Sequence, residues 1–193
     1  MAGSTERRMK IEDWRDYWRK WRGTTAGAPP RIHSDEVFWS WVGALLGIGL
    51  LGWLGARFFA PHDLPLVIGS FGASAVLLYG APRSPLAQPR NLVGGHVVSA
   101  LVGVFCWQLF APWPALAQAL AVATAIALMQ LTRTLHPPGG ATALIATLGS
   151  AEITRLGYWY VLMPATLGPL LLLLVALVFN NLPKTRRYPE FWF

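Results

Sequence analysis

The sequence is poor in charged residues and in cysteine. Of its 193 residues only 13% are charged and 54% are hydrophobic, whereas a soluble chain usually carries about 25% charge. The single cysteine, Cys106, lies in an apolar stretch and has no partner for a disulfide within the chain. No nucleophile–base pair, phosphate-binding loop, metal-ligand cluster or haem motif is recognisable, so we expect no enzyme, no metal and no cofactor. The composition therefore predicts an integral membrane protein.

Acidic residues are outnumbered, and the basic excess lies near the two ends of the chain. The net charge is +7, eight Lys and Arg fall between Arg7 and Arg31, and three more lie between Lys184 and Arg187. This placement indicates membrane orientation and contact with anionic lipid head groups. We expect membrane lipids as partners and no nucleic acid. A cleavable signal peptide is not expected, because the first apolar run begins only near Val37.

The N-terminal 30 residues are predicted to form a unit of their own. Residues 6–22 have Ile11, Trp14, Trp18 and Trp21 at helical spacing, with lysine and arginine between them. Tryptophan beside basic residues is typical of a helix that lies in the membrane interface. Docking of this helix on the protein's own cytoplasmic face is an equal alternative. Residues 23–30 are predicted to be a linker.

Four apolar segments in residues 31–193 are long enough to cross about 30 Å of hydrocarbon at 1.5 Å per residue. They are residues 38–60, 91–111, 115–132 and 158–182, and a short basic, aromatic tail follows them. Small residues recur at four-residue spacing, as in Gly43 and Gly47, or Gly95, Ser99 and Gly103. Such faces allow helices to approach closely, either within one subunit or in a homo-oligomer.

Two further apolar segments, residues 66–79 and 140–149, are too short for a full helical span. The second follows the unusual stretch Arg133–Leu144, which contains a cation, an imidazole, two prolines and two glycines. Pro137 and Pro138 remove two backbone donors, so a single helix cannot run through this stretch. We therefore expect each short segment to be a broken span with a half-helix.

The two short segments are related in sequence. Residues 72–80 resemble residues 140–149, and each lies between two full spans, which predicts two repeats of three spans at about 37–111 and 115–183. If each short segment crosses the membrane, the chain crosses six times and the second repeat is inverted relative to the first. Arg83, Arg90 and Arg133 then lie on the same side as both termini, with Arg57 and Arg155 as exceptions to the positive-inside rule. Re-entrant hairpins would instead give four crossings and move the Arg83–Arg90 loop to the other side.

In the six-crossing arrangement the two half-helix N-termini meet near the middle of the membrane. Helix N-termini carry unpaired N–H groups and a partial positive charge, which together favour anions. The alternative is that these glycines and hydroxyls serve only packing and capping. The predicted substrate-binding residues are Ser70, Phe71, Gly72, Ala73, Ser74, Gly139, Gly140, Ala141 and Thr142.

Five polar residues near these breaks are candidates for gating or for a proton relay. His136 and His96 are the nearest ionisable groups, although His136 could instead bind a freed carbonyl and His96 could simply pack. Arg133 either attracts anions at the cytoplasmic entrance or extends to head groups. Asn91 and Gln130 are expected to satisfy backbone groups at the breaks.

The stretch His136–Ala143 resembles the signature of the HPP family of integral membrane proteins, named for its His-Pro-Pro tripeptide. Further similarity to the family extends over Gly69–Ser74, Ser84–Asn91, Gly94–His96, Asn180–Leu182 and Tyr188–Pro189. The resemblance implies a membrane domain usually described with four transmembrane helices; our six crossings arise from treating the short segments as broken spans. It also implies transport of nitrite, which is associated with plant chloroplast and cyanobacterial members.

Together these features predict an all-α membrane protein that transports a small monovalent anion, with nitrite as the leading candidate. We expect the inner (plasma) membrane of a bacterium, with both termini cytoplasmic. The alternative hypothesis is a membrane sensor or assembly module that transports nothing and acts through its basic, Trp-rich N-terminal helix.

Overall fold

The computed structural model describes residues 17, 18, 20, 21, 31–62, 64–148 and 150–193. All regular secondary structure within these residues is helical, which confirms the predicted all-α class. The chain divides into Met1–Ile32 and His33–Phe193. In the first unit Tyr17, Trp18 and Lys20 are helical, while most of the amphipathic helix predicted at residues 6–22 lies outside the described residues.

Four helical segments of the described chain are long and apolar enough to cross a membrane. α1 spans Ser34–Leu54 and continues through a π-helical turn, Gly55–Phe59, and a 3-10 turn, Ala60–His62. α3 spans Pro89–Phe110 and α4 spans Pro114–Leu131. Each begins with a proline, which is favourable there because an N–H group at the first helical position would have no partner within the helix. The last segment, Trp159–Phe179, contains α7 (Trp159–Leu162) and α8 (Leu167–Phe179). These four segments match the four predicted full spans.

Each short apolar segment contains a half-length helix after an extended approach. α2 spans Ser70–Ala75 and continues as a π-helical turn, Val76–Gly80, after residues 64–68 without regular structure. α5 spans Pro137–Thr147, and its N-cap residue His136 is extended. A short helix, α6 (Ala151–Leu156), connects α5 to α7. The inverted relation between the two halves of the chain stays a prediction.

Within residues 33–193, several basic residues meet at one end of the helical bundle, which we call the basic end. Arg186 Nε donates to Glu36 Oε2 of α1 over 2.7 Å. Arg83 Nη2 donates to the Thr185 carbonyl, and Arg90 Nη2 donates to the Thr132 carbonyl just after α4. The start of α1, the loop before α3, the end of α4 and the C-terminal segment therefore meet at this end.

Small residues bring α3 and α5 into close contact. A Cβ added at Gly95 would lie 2.5 Å from His136 Cβ, and one added at Gly103 would lie 2.7 Å from the Ala143 carbonyl oxygen. On α1, a Cβ at Gly43 or Gly47 would overlap the Tyr79 ring. The small-residue faces predicted on α1 and α3 are thus used for packing within the chain.

Candidate functional site

Five buried polar side chains from α2, α3 and the α5 region contact one another in the bundle, and we call them the His–hydroxyl cluster. Ser74 Oγ lies 2.8 Å from His96 Nε2 and 2.9 Å from His136 Nε2. His96 Nδ1 lies 2.7 Å from Thr142 Oγ1, which donates to Ser70 Oγ over 2.9 Å. The exposed fraction is 1% for Ser70 and 0% for the other four residues. The structure therefore joins the predicted Ser70–Ser74 and Gly139–Thr142 regions through both histidines.

Helical geometry explains how these side chains converge. Ser70 and Ser74 are four residues apart and share one face of α2. His96 lies seven residues after Pro89, which places it about 10 Å into the bundle from the start of α3. His136 is held in place because the two prolines after it set the start of α5.

Backbone carbonyls and a tyrosine fix the edges of the cluster. His136 Nδ1 lies 2.8 Å from the Leu86 carbonyl oxygen, and Asn91 Nδ2 donates to the Leu135 carbonyl over 2.9 Å. Tyr160 of α7 donates its hydroxyl to the Thr142 carbonyl over 2.9 Å. Asn91 thus satisfies a backbone group at the break, as expected. Leu86 and Tyr160 were missed, although a buried tyrosine always needs a hydrogen-bond partner.

Several of the backbone donors that were predicted to be unpaired at the two half-helix starts are bonded locally. At α2, the N–H groups of Phe71 and Gly72 bond to the carbonyls of Ile68 and Gly69. At α5, the first two residues are prolines without N–H groups, and the Gly139 N–H bonds to the His136 carbonyl over 2.8 Å. Tight turns at both starts use the donors locally. Hydroxyl and imidazole groups, rather than backbone N–H groups, therefore meet at the site.

The other predicted substrate-binding residues of α2 and α5 differ in the helix face on which they lie. Gly72, Ala73 and Ala141 are exposed and point away from the cluster, because they lie on the helix faces opposite the buried hydroxyls. Phe71 is buried; its ring packs edge-on to His96 and fills the space that a side chain at Gly168 of α8 would occupy. These four residues therefore do not place donors in the cluster.

The two glycines that follow the prolines differ from each other. A Cβ at Gly139 would lie 2.7 Å from Ser99 Oγ and 2.9 Å from the Gly95 carbonyl oxygen. A Cβ at Gly140 would meet nothing within 4 Å. Gly139 is thus required for close packing of α5 on α3, whereas Gly140 faces open space.

Arg133 and Gln130 lie outside the cluster. Both are exposed at the end of α4. Arg133 adopts a left-handed backbone with φ of 57°, and the Thr134 N–H donates to the Met129 carbonyl over 2.8 Å. This geometry is the C-terminal cap usually formed by glycine. Arg133 therefore ends α4, and its side chain is at the basic end rather than beside the histidines.

Comparison with known proteins identifies the family. The sequence profile described as HPP, transmembrane region, matches residues 29–189. The chain belongs to the HPP family. It is 46% identical over 179 residues to one transmembrane protein of Dictyostelium discoideum and 43% identical over 180 residues to another. Each match covers 91% of this chain but only 57% and 63% of those two relatives, respectively, so the chain spans less than two thirds of their length. No solved structure matches the chain.

The HPP signature residues occupy two separate buried networks. One is the His–hydroxyl cluster. The other, the Arg186 network, lies at the basic end, where Arg186 donates to Glu36, Ser40 Oγ, the Tyr79 carbonyl and Asn180 Oδ1. Arg186 of the basic, aromatic tail is thus docked in the bundle, since it is only 7% exposed.

The signature Tyr188 belongs to the same docked tail. Its hydroxyl donates to the Ala87 carbonyl over 2.7 Å, next to the carbonyl that contacts His136. Burial, together with the Tyr79 phenol, raises the pKa of Tyr188, which therefore stays a donor. The HPP tail thus braces the loop that holds one edge of the cluster.

A cavity of about 600 Å³ lies at the opposite end of the HPP domain from the Arg186 network. It is lined by Ala60, Leu64, Pro65, Glu152, Arg155 and Leu156. The exposed Arg155 also lines an adjoining cavity of about 370 Å³ with Trp159 and Met163. Residues 64–69 connect the wall of these cavities to Ser70. Arg155, one of the two arginines that depart from the predicted positive-inside pattern, therefore faces a cavity.

Proposed function

We propose that this HPP protein transports a small monovalent anion across the membrane, with nitrite as the leading substrate. The observation that supports the proposal best is the His–hydroxyl cluster itself. The five side chains are buried in an apolar domain, and ionisable groups in membrane domains mark functional sites by default. The membership of the chain in a transmembrane family agrees with transport.

The chemistry of the cluster suits a small acceptor-rich anion. Its hydroxyls and imidazole N–H groups are donors that now bond to one another. An anion such as nitrite, with two oxygen acceptors, would take over some of these bonds and so replace part of its hydration. Without such donors, moving a bare charge into apolar surroundings costs many kcal/mol.

The direction of the two half-helices supports a path with six crossings. α2 begins at the cluster and its continuation ends beside Arg186, which donates to the Tyr79 carbonyl over 3.1 Å. α5 begins at the cluster and is followed by α6, which lines the cavity at the opposite end. The two helices therefore leave the cluster toward opposite ends. Opposite directions of this kind are what the predicted inverted repeats require, as in transporters with discontinuous helices.

The proposed path connects the Arg155 cavity, the cluster and the basic end. The positive-inside rule favours a cytoplasmic location for the basic end and both termini. The membrane in this proposal is a bacterial inner membrane. Arg155 then faces the outside and attracts the anion to the cavity. The protein carries the ion and catalyses no reaction.

Uptake into proteoliposomes tests this function. Purified protein is reconstituted, and the initial uptake of nitrite, nitrate, formate and chloride is compared with that of protein-free vesicles. We expect saturable uptake that is fastest for nitrite. Absence of saturable uptake for all four anions would contradict the proposal. A variant lacking Met1–Gly27 is expected to keep its substrate preference, whereas a sensor acting through the N-terminal helix would lose its activity.

A further inference from the structure

The four hydrogen-bonded contacts of the cluster require a definite number of protons, which can be compared with the number that its neutral groups supply. Four contacts join His136 to Ser74, Ser74 to His96, His96 to Thr142, and Thr142 to Ser70. Each contact needs one proton between its two heavy atoms. A neutral imidazole and a hydroxyl each have one proton to donate. The question is whether the neutral groups can supply four protons in this geometry.

The Leu86 carbonyl decides the state of the first imidazole. A carbonyl oxygen only accepts, so His136 Nδ1 must carry a proton over the 2.8 Å contact with Leu86. A neutral His136 then has an unprotonated Nε2, which must accept from Ser74. Neutral His136 thus donates its one proton to the Leu86 carbonyl and has none for the four contacts.

At the other end of the cluster, Thr142 donates its hydroxyl proton to Ser70. Thr142 Oγ1 donates to Ser70 Oγ, and the carbonyl of Pro138, 3.3 Å away, is a further acceptor for Thr142. With Thr142 donating outward, the contact between His96 and Thr142 requires a proton on His96 Nδ1. Ser70 accepts in its contact with Thr142, so its own proton lies outside the four contacts. Ser74, neutral His96 and Thr142 then supply three protons for four contacts. The cluster is one proton short.

One added proton completes the network. Placed on His96, it makes both ring nitrogens donors, to Thr142 and to Ser74, while Ser74 donates to His136 Nε2. The same proton moves to the second imidazole when His96 Nε2–H passes to Ser74 Oγ and the Ser74 proton passes to His136 Nε2. One proton leaves His96 and one arrives at His136, so the transfer is balanced. Ser74 is the bridge, with 2.8 and 2.9 Å contacts on its two sides.

No carboxylate of the described residues contacts this pair. From α2 the imidazoles face Ser70, Ser74 and the Phe71 ring; from α5, Thr142; and from the loop before α3, the Leu86 carbonyl. Beyond Thr142 lies Tyr160 of α7, whose hydroxyl donates to the Thr142 carbonyl, and α4 presents the Met129 thioether beside Gly139. The titratable groups near each imidazole are therefore the other imidazole and Tyr160. An added proton has no fixed counter-ion there.

We infer that the His–hydroxyl cluster takes up one proton with each anion, so that the protein is a one-to-one proton–anion symporter. This inference rests on the proposed anion transport. A proton shared by His96 and His136 supplies the positive charge that the anion lacks, and the anion supplies the counter-charge that the imidazoles lack. Entering together, they leave the buried site neutral overall. Because binding is reciprocal, the anion also strengthens binding of the proton.

Electroneutral transport distinguishes this mechanism from anion flow alone. Proteoliposomes are loaded with a pH-sensitive dye, potassium and valinomycin set the membrane potential, and protein-free vesicles correct for diffusion of nitrous acid. We expect internal acidification of one proton per nitrite taken up, and a rate that an inside-positive potential does not change. Uptake that is accelerated by that potential and leaves the internal pH unchanged would overturn the inference and leave anion transport intact. No uptake of any anion would overturn both.

A matched pair of buried serines tests the bridge. Ser74→Ala removes the hydroxyl between the imidazoles, whereas Ser99→Ala removes a buried hydroxyl of α3 that contacts only Met129 Sδ, at 3.6 Å, outside the relay. Mixing the detergent-solubilised protein with nitrite in weak buffer should consume about one proton per chain in the wild type and in Ser99→Ala, and none in Ser74→Ala. Equal proton uptake by both variants, or none by the wild type, would overturn the inference. The wild-type measurement remains decisive if Ser74→Ala does not fold.

Discussion

The Arg186 network and the His–hydroxyl cluster are both buried and polar, but they are built from different groups. Arg186 is a permanent donor that faces a carboxylate, a hydroxyl, two carbonyls and an amide oxygen. Every bond in that network has one possible direction. The cluster consists of imidazoles and hydroxyls, each able to donate and to accept. The first network therefore has a single arrangement, whereas the second has several that differ in where the protons lie.

The two networks also hold opposite ends of the α2 segment. Arg186 contacts the Tyr79 carbonyl at the end of this segment, and the cluster contains Ser70 and Ser74 at its beginning. The fixed network anchors the helix at the basic end, and the variable one lies inside the bundle. This contrast predicts that changes at the basic end lower stability, whereas changes in the cluster alter transport.

The largest effect on stability is expected for Arg186→Met. The substitution leaves Glu36 without its partner and exposes the Tyr79 carbonyl and Asn180 to an apolar side chain. Breaking a fully buried ion pair costs about 3–5 kcal/mol, and solvent at the partly exposed Glu36 screens part of that cost here. Thermal unfolding in detergent should show a large drop in the melting temperature. The neighbouring Arg187, which is exposed, serves as the control, and equal melting of Arg187→Met and Arg186→Met would contradict the anchoring role.

A smaller loss is expected for Gly139→Ala, because its Cβ would press on the Gly95 carbonyl and Met129. Overpacking of this kind costs about 1–3 kcal/mol. Gly140→Ala has open space and should melt like the wild type. The same thermal assay compares the two variants. A larger loss at Gly140 would mean that the contact between α3 and α5 is misassigned.

Bulk at Gly140 should affect flux rather than folding. Gly140→Leu places a side chain in the open space beside the start of α5 without a clash in the resting structure. If the anion passes this point, nitrite uptake is lost while the melting temperature hardly changes. Unchanged uptake would remove Gly140 from the path.

Thr142→Val should show whether the Thr142 hydroxyl takes part in proton uptake in addition to stabilising the fold. The substitution keeps the shape but removes the hydroxyl between His96 and Ser70, leaving buried groups unpaired at a cost of about 1–3 kcal/mol. Nitrite-induced proton uptake should disappear. Thr147→Val is the control, because the Thr147 hydroxyl bonds only to carbonyls of its own helix. Proton uptake that survives in Thr142→Val would exclude Thr142 from the relay.

The smallest effect is expected for Arg133→Gly. Glycine adopts the left-handed backbone of Arg133 without strain, so the free energy of unfolding should change by no more than about 1 kcal/mol. Nitrite uptake should also persist, because Arg133 lies at the basic end and outside the cluster. Severe loss of uptake at an unchanged melting temperature would instead support the predicted role of Arg133 in attracting anions.

Sequence patterns were sufficient for the helices and for the location of the breaks. Pro137 and Pro138 forced a new helix to begin, and the lengths of the apolar runs separated full spans from short ones. Sequence patterns were less informative about which hydrogen-bonding groups are free at the breaks. Phe71, Gly72 and Gly139 looked like sources of free N–H groups, but the tight turns that form at helix starts are invisible in composition. Gly72, Ala73 and Ala141 were included because they adjoin the hydroxyls in sequence, although helical rotation turns them outward.

The sequence by itself determined that the chain is helical and membrane-embedded, where its helices are interrupted, and which residue types are rare enough in an apolar domain to suggest function. These features depend on local chemistry: proline lacks an N–H, and buried backbone must be bonded within its own segment. Only the tertiary structure decided that His96, His136, Ser74 and Thr142 touch, that Tyr160 and the Leu86 carbonyl fix the edges, and that Arg186 is buried. The cluster's contacts join residues up to 72 positions apart, and their hydrogen bonds depend on angles and distances that no local pattern contains.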